Sequence, residues 1–162
     1  MTQYTRAATW DDVKRLAALL NEAGVEYALV GGYAISAHGF NRLTEDIDIL
    51  VDPSLDNARR WIVALSKLPD GAAKELLDEP DIFKDDIRYA VRINDDFTVD
   101  VMPSIGGHEW QEMKAHITRQ QVDEVTIPVL DLPGLLKTKQ GLRPKDLADA
   151  ALIRAALERM GK

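Results

Sequence analysis

The chain has 162 residues, 46% of them hydrophobic and 29% charged, which is the balance of a folded globule of ordinary domain size and excludes a disordered chain. Its net charge of -7 argues against passive coating of nucleic acid or anionic lipid, since both take a basic surface, but it leaves room for polyanions held through metal ions. Cysteine is absent, so disulfides, thiolate zinc sites and cysteine nucleophiles are excluded together.

Taken in chain order, the pattern predicts a helix from Asp11 to Ala23, with Val13, Leu16, Ala17 and Leu20 at helical spacing and Gly24 as its stop. Val25 to Val30 reads as a short buried strand ending in Gly31-Gly32, and Tyr33 to His38 as a short helix closed by Gly39. Asp46 to Val51 alternates polar and apolar, the period of a strand, and Asp52-Pro53 breaks it. A second long helix carries Leu55, Ala58, Ile62 and Leu65 on one face.

Residues 69–81 are ambiguous. Asp86 to Ile93 and Phe97 to Met102 read as a hairpin around Asn94-Asp95-Asp96. Gly106-Gly107 is expected to open a helix through His116, and Val125 to Leu130 to form an edge strand, because of Pro128. Leu132 to Met160 reads as helical, with a break near Gly141 to Pro144. No repeat or low-complexity linker interrupts the chain, so residues 1–162 are expected to form one domain. The expected class is α/β (α+β), a small mixed sheet with helices packed on it and a helical C-terminus. The N-terminus lacks the apolar centre of a signal peptide, and no run approaches the roughly 20 apolar residues of a membrane span, so a soluble cytoplasmic protein is expected.

Three features carry chemistry. Asp46 and Asp48 stand two apart in a predicted strand and project to one face, with Ile47 and Ile49 on the other. Two adjacent like charges repel unless solvated or neutralised by a cation, and magnesium is commonly held by one or two carboxylates plus phosphate oxygens. By itself an Asp-x-Asp pair is better explained as two solvated acids on a half-exposed strand. Gly31-Gly32 follows an apolar strand, where glycine lets backbone approach a ligand and amides at a helix start favour phosphate. It is neither a dinucleotide-binding fingerprint, lacking the third glycine, nor a P-loop, lacking Gly-Lys-Ser/Thr. Asp100 sits in the apolar stretch Phe97 to Met102, an unusual place for an acid that is neither paired nor ligated.

In combination these features are more specific. Gly31-Gly32, then residues 33–45, then Asp46-Ile47-Asp48, with Asp100 on a later strand, resemble the nucleotidyltransferase superfamily in order and spacing. The stretch Arg42-Leu43-Thr44-Glu45-Asp46 is similar to a subgroup related to the AbiEii-type toxins. So is the C-terminal run Leu136-Lys137-Thr138-Lys139-Gln140, Arg143-Pro144-Lys145-Asp146 and Asp149. The likeness covers roughly residues 25–102, a catalytic core, and 132–152 in the helical C-terminal part (about 132–160); residues 103–131 add little to it.

The resemblance implies transfer of a nucleoside monophosphate from a nucleoside triphosphate to an acceptor, with release of pyrophosphate. It implies that Asp46, Asp48 and Asp100 bind Mg2+ or Mn2+, as two ions, and that Asp100 takes the acceptor's proton. It places Gly31, Gly32, Ser36, Arg42 and Lys139 near the nucleotide. Lys139 is put ahead of Lys137, although their spacing does not decide between them. The acceptor is left open among tRNA, a protein hydroxyl and a small molecule, and a partner protein from a toxin-antitoxin or phage-defence pair is a further expectation. The alternative is a nucleotide-binding antitoxin or regulatory module with little turnover. His38, His108 and His116 form no recognisable metal spacing, and the tryptophans read as core or interface anchors.

Overall fold

A computed structural model describes residues 5–41, 44–86, 88–139 and 144–161. Helix α1 (Trp10–Glu22) begins one residue before its expected start, because Thr9 and Asp12 form a reciprocal capping box. Its buried face, Val13, Leu16, Ala17 and Leu20, is the one that the spacing predicts. Strand β1 (Tyr27–Val30) is buried throughout and runs directly into α2 (Gly31–Ala37). Strand β2 (Ile47–Val51) precedes α3 (Leu55–Leu65), whose core side carries Ala58, Trp61, Ile62 and Leu65.

The predicted hairpin forms from β3 (Val91–Asn94) and β4 (Thr98–Met102). The first strand is shorter than expected. Asp86 accepts hydrogen bonds from the backbone and guanidinium of Arg88, a local closure that competes with sheet pairing.

Two expectations between residues 103 and 131 are corrected. Gly106 and Gly107 do not open a helix. Both have positive φ, 56° and 81°, and turn a small hairpin between β5 (Ser104–Ile105) and β6 (His108–Glu109). Consecutive positive-φ residues suit a two-residue hairpin turn. The helix that follows, α4 (Trp110–Met113), is short and ends in a 3-10 turn through His116. Residues 117–130 then make a full antiparallel pair, β7 (Ile117–Val122) and β8 (Val125–Leu130). Pro128 does not mark an edge: β8 lies between β1 and β7, and β7 is the edge. The proline is tolerated because β8 pairs along its length with β7, whereas its register with β1 is the single pair Leu29↔Val129.

Among the described residues the main sheet has six strands in the order β3-β4-β2-β1-β8-β7. It is mixed: β2 runs parallel to β4 and β1 parallel to β8, while the other pairs are antiparallel. Ile47 and Ile49 are fully buried beside Val13, Leu16 and Leu20 of α1, so one sheet face is core. Helix α5 (Leu132–Thr138) starts on Asp131, whose carboxylate accepts from the Gly134 amide, and packs on α6 (Pro144–Arg159). The expected break at Gly141 to Pro144 falls largely outside the described residues. No helix among the described residues is long and apolar enough to cross a membrane.

One buried charge holds the tip of the hairpin. Asp95 is 1% exposed and accepts from the backbone amides of Asp70, Ala72 and Asp96 at 2.8–2.9 Å. It ties the β3-β4 turn to the chain that follows α3. Asp95→Ala would orphan these donors, so we expect a loss of about 3 kcal/mol in urea unfolding, where each unsatisfied buried donor costs about 1–3 kcal/mol. A loss below about 0.5 kcal/mol, the size of an ordinary surface substitution, would contradict this role.

Candidate active site

The sheet register builds the site. Val30 of β1 pairs with Asp48 of β2, Asp48 with Asp100 of β4, and Asp100 with Arg92 of β3. Residues directly opposite across a ladder share a face. One row across the sheet therefore carries two carboxylates and a guanidinium on the face away from α1. Asp46 lies just before β2 and adds a third acid.

These acids line a cleft of about 700 Å³, within the range of small-molecule sites. Gly31 and Gly32 form its floor with Thr44, Glu45 and Asp46; Lys139, Lys145 and Asp146 come from the C-terminal helices. The two glycines are required by close approach. Gly31 has φ 70°, and a Cβ there would overlap Oδ2 of Asp48 and stand 3.0 Å from the Asp48 Cβ. A Cβ on Gly32 would stand 2.7 Å from Cβ and Oγ1 of Thr44. Thr44 in turn donates to the carbonyl of Asp46 at 3.2 Å, which steadies the approach to the first acid.

The electrostatics are those of crowded like charges. Burial, then the charge of Asp100, a hydrogen bond with Asp100 and the charge of Asp46 push the Asp48 carboxyl up to about 7; Lys145 acts in the opposite direction. Arg92 forks onto Asp100, with Nε 2.9 Å from Oδ1 and Nη2 3.1 Å from Oδ2, and Nη2 also lies 3.4 Å from Oδ2 of Asp46. Among the described residues no three His, Asp or Glu side chains stand as a ready-made metal cage. The donor set nevertheless fits a hard divalent cation. The acids are oxygen donors facing one cleft, and the burial and like charge that push the Asp48 carboxyl up are what a bound cation would offset.

The other expected residues fall variously. Lys139 lines the cleft, but its side chain is 11% exposed and lies 3.5 Å from Asp146 and 3.2 Å from Asp149, carboxylates that are themselves buried. Lys137 points elsewhere, to Glu112 at 3.4 Å. Ser36 is half-buried on α2 and is not among the residues lining the cleft. Arg42 lies outside the described residues. His38 contacts the Leu130 carbonyl, His116 pairs with Asp131 and His108 with Glu112, so each histidine has a partner outside the cleft. Trp61 and Trp110 are core residues, and Trp10 packs edge-on against Tyr33.

Two cleft residues were not singled out from the sequence. Lys145 was noted only as part of a motif, and only the docking of α6 brings it to Asp48. Arg92 has a signal in hindsight: with Asn94 paired to Thr98, two steps back along each strand set Arg92 against Asp100.

The profile of the aminoglycoside-2''-adenylyltransferase family matches residues 12–153. The chain belongs to that family. As a member it is a nucleotidyltransferase, and it falls within the superfamily that the glycine pair and the acids resemble. No curated protein matches it significantly. Its fold is similar to that of a candidate nucleotidyltransferase from Thermotoga maritima, with a TM-score of 0.58 and 14% identity over 93% of this chain and 92% of that one. It is also similar to an antigenic nucleotidyltransferase-like protein from Paracoccidioides brasiliensis, with a TM-score of 0.51 and 17% identity over 92% of this chain and 78% of that one. At these identities the likeness concerns the fold.

Two outcomes follow from the crowding. An acid whose folded pKa is raised binds more protons folded than unfolded, so its contribution to stability falls as pH rises from about 4 through about 7. In chelator, the melting temperature is expected to fall over that window, and Asp48→Asn to flatten the slope; equal slopes in the two proteins would refute the assignment. Gly31→Ala is expected to abolish nucleotide-dependent thermal shifts while circular dichroism still reports a folded chain, because the added methyl displaces Asp48. Retention of wild-type shifts would show that the close approach is dispensable.

Proposed function

We propose that this chain transfers a nucleoside monophosphate, adenylate from ATP first among the choices, to a hydroxyl of a small cationic acceptor of the aminoglycoside kind. The observation that carries the donor half is the register pair Asp48↔Asp100, with Asp46 beside it, set against Gly31-Gly32 in one cleft. Mg2+ or Mn2+, as two ions on Asp46, Asp48 and Asp100, would offset phosphate charge and ease ionisation of the acceptor hydroxyl. The acceptor oxygen bonds to the α-phosphorus as the bond from that phosphorus to the β-phosphate bridging oxygen breaks, and pyrophosphate leaves. Asp100 receives the hydroxyl proton. Gly31 and Gly32 let the phosphates approach the backbone, and Lys145 and Lys139 supply positive charge on the opposite wall. Catalysis of this kind rests on positioning and charge neutralisation.

The family description supports the acceptor half, and so does charge: a chain at -7 attracts a polycation better than a polyanion. A cytoplasmic location, where nucleoside triphosphate and magnesium are at hand, goes with this reading. The likeness to AbiEii-type toxins supports a second acceptor class, tRNA or a protein hydroxyl, within a toxin-antitoxin or phage-defence pair. The observation favouring it is that Lys139, Asp146 and Asp149, which the C-terminal motif contains, do converge. A nucleotide-binding partner module with little turnover is the third possibility.

The deciding experiment has two stages. Thermal shifts with each triphosphate, with and without Mg2+, are expected to show metal-dependent stabilisation in the wild type and none in Asp48→Ala. The protein is then incubated with α-labelled ATP and either an aminoglycoside bearing a free 2''-hydroxyl, total RNA, or cell extract. Label on the aminoglycoside is the expected result. Label on RNA or protein would move the assignment to the toxin class, and binding without any transfer to the partner module.

A further inference from the structure

The donor-side proposal leaves Arg92 without a role, yet it is the best-connected cation in the cleft. Its place is set by register, because Arg92 and Asp100 are opposite residues of the β3-β4 ladder. Both carboxylate oxygens of Asp100 are engaged by its fork, and its Nη2 reaches Oδ2 of Asp46. These are oxygens that a divalent ion bridging Asp46 and Asp100 would need. A guanidinium has no acceptor capacity and cannot join a metal's ligand shell, so a metal held there would compete with it, by charge repulsion and for the carboxylate lone pairs that its fork uses. Arg92 also has somewhere to go. Its side chain is 58% exposed, and β3 is an edge strand, so the guanidinium reaches the cleft mouth by rotating its side-chain torsions while the backbone stays paired.

We propose that Arg92 is an exchangeable counter-ion: it holds Asp100 and Asp46 together while the cleft is empty, and passes to the phosphates when a metal-nucleotide complex enters. This rests on the metal-nucleotide assignment above. Free metal competes with Arg92 for the same carboxylates and gains less than it would at a site without a resident cation. Metal carried by a triphosphate delivers a cation for the carboxylates and, in the same step, anionic oxygens that suit the bidentate fork. Metal and nucleotide therefore strengthen each other's binding, and by linkage the factor is the same in both directions. Arg92 is thus a counter-ion to the acids in the empty cleft and a nucleotide-binding residue in the filled one.

The test is Mn2+ binding to the intact chain, read from the paramagnetic resonance signal of free Mn2+, with and without a non-hydrolysable ATP analogue. In the wild type, Mn2+ is expected to bind about tenfold or more tightly with the analogue, within the usual 5–150-fold range of coupling. In Arg92→Gln, Mn2+ alone should bind several-fold more tightly than in the wild type, and the coupling should shrink toward unity. Arg92→Lys, which keeps the charge and loses the fork, should fall between. Both variants are first checked by circular dichroism, and Arg92→Lys decides the matter if Arg92→Gln does not fold. Equal Mn2+ affinity in wild type and variants, or undiminished coupling, would overturn the counter-ion role while leaving the metal-nucleotide site standing. Failure of every form to bind Mn2+, with or without the analogue, would overturn both.

Discussion

Parallel pairing of β2 with β4 sets two carboxylates side by side, and the rest of the cleft is a response to that repulsion. Asp48 and Asp100 share a register position, with Asp46 close behind. The charge is met in two ways: burial and its neighbours push the Asp48 carboxyl up toward its protonated form, and Asp100 takes the fork of Arg92. Neither response is as strong as a divalent ion against three oxygen-donor side chains. A cleft with this crowding of carboxylates is well suited to the divalent cation proposed for it.

The scaffold is arranged so that the repulsion does not unfold it. Behind the acidic row, Ile47, Ile49, Val99 and Val101 are buried at 0–1% exposure and anchor β2 and β4 in the core. The acids therefore cannot relax apart without dragging core residues with them. Gly31 lets the α2 start close over Asp48, which deepens its burial and adds to the pressure for a counter-charge. Lys139, which lines the cleft, also pairs with Asp146 and Asp149 of α6 and so links the end of α5 to that helix. Lys145, next to Asp146 and one turn before Asp149, lines the same cleft and acts on Asp48.

Membership of the aminoglycoside-2''-adenylyltransferase family and the geometry bear on different halves of the reaction. The geometry concerns the donor: where carboxylates, glycines and cations stand. The family concerns the kind of transfer. The acceptor is decided by the chemistry of the cleft lining, to which Met102, Ile105 and Gly106 add less polar surface.

The sequence by itself determined the elements with strong period or punctuation: α1, β1, β2, α3 and the β3-β4 hairpin, together with the candidate acids and the glycine pair. These depend on local rules, the alternation of side chains along a strand and the need for glycine at a close approach. It misread Gly106-Gly107 as a helix start, because glycine pairs also make hairpin turns, and it passed over β7, whose Thr118, Arg119, Gln120 and Gln121 carry no apolar alternation. It took Pro128 for an edge because which neighbours a strand has is not a local property. Only the tertiary structure decided that Asp100 stands against Asp48, that Arg92 forks onto Asp100, and that Lys139, paired with Asp146 and Asp149, and Lys145 both line the cleft. Each of these depends on strand order, register or helix docking, which bring together charges up to about a hundred residues apart by packing that no short window of sequence encodes.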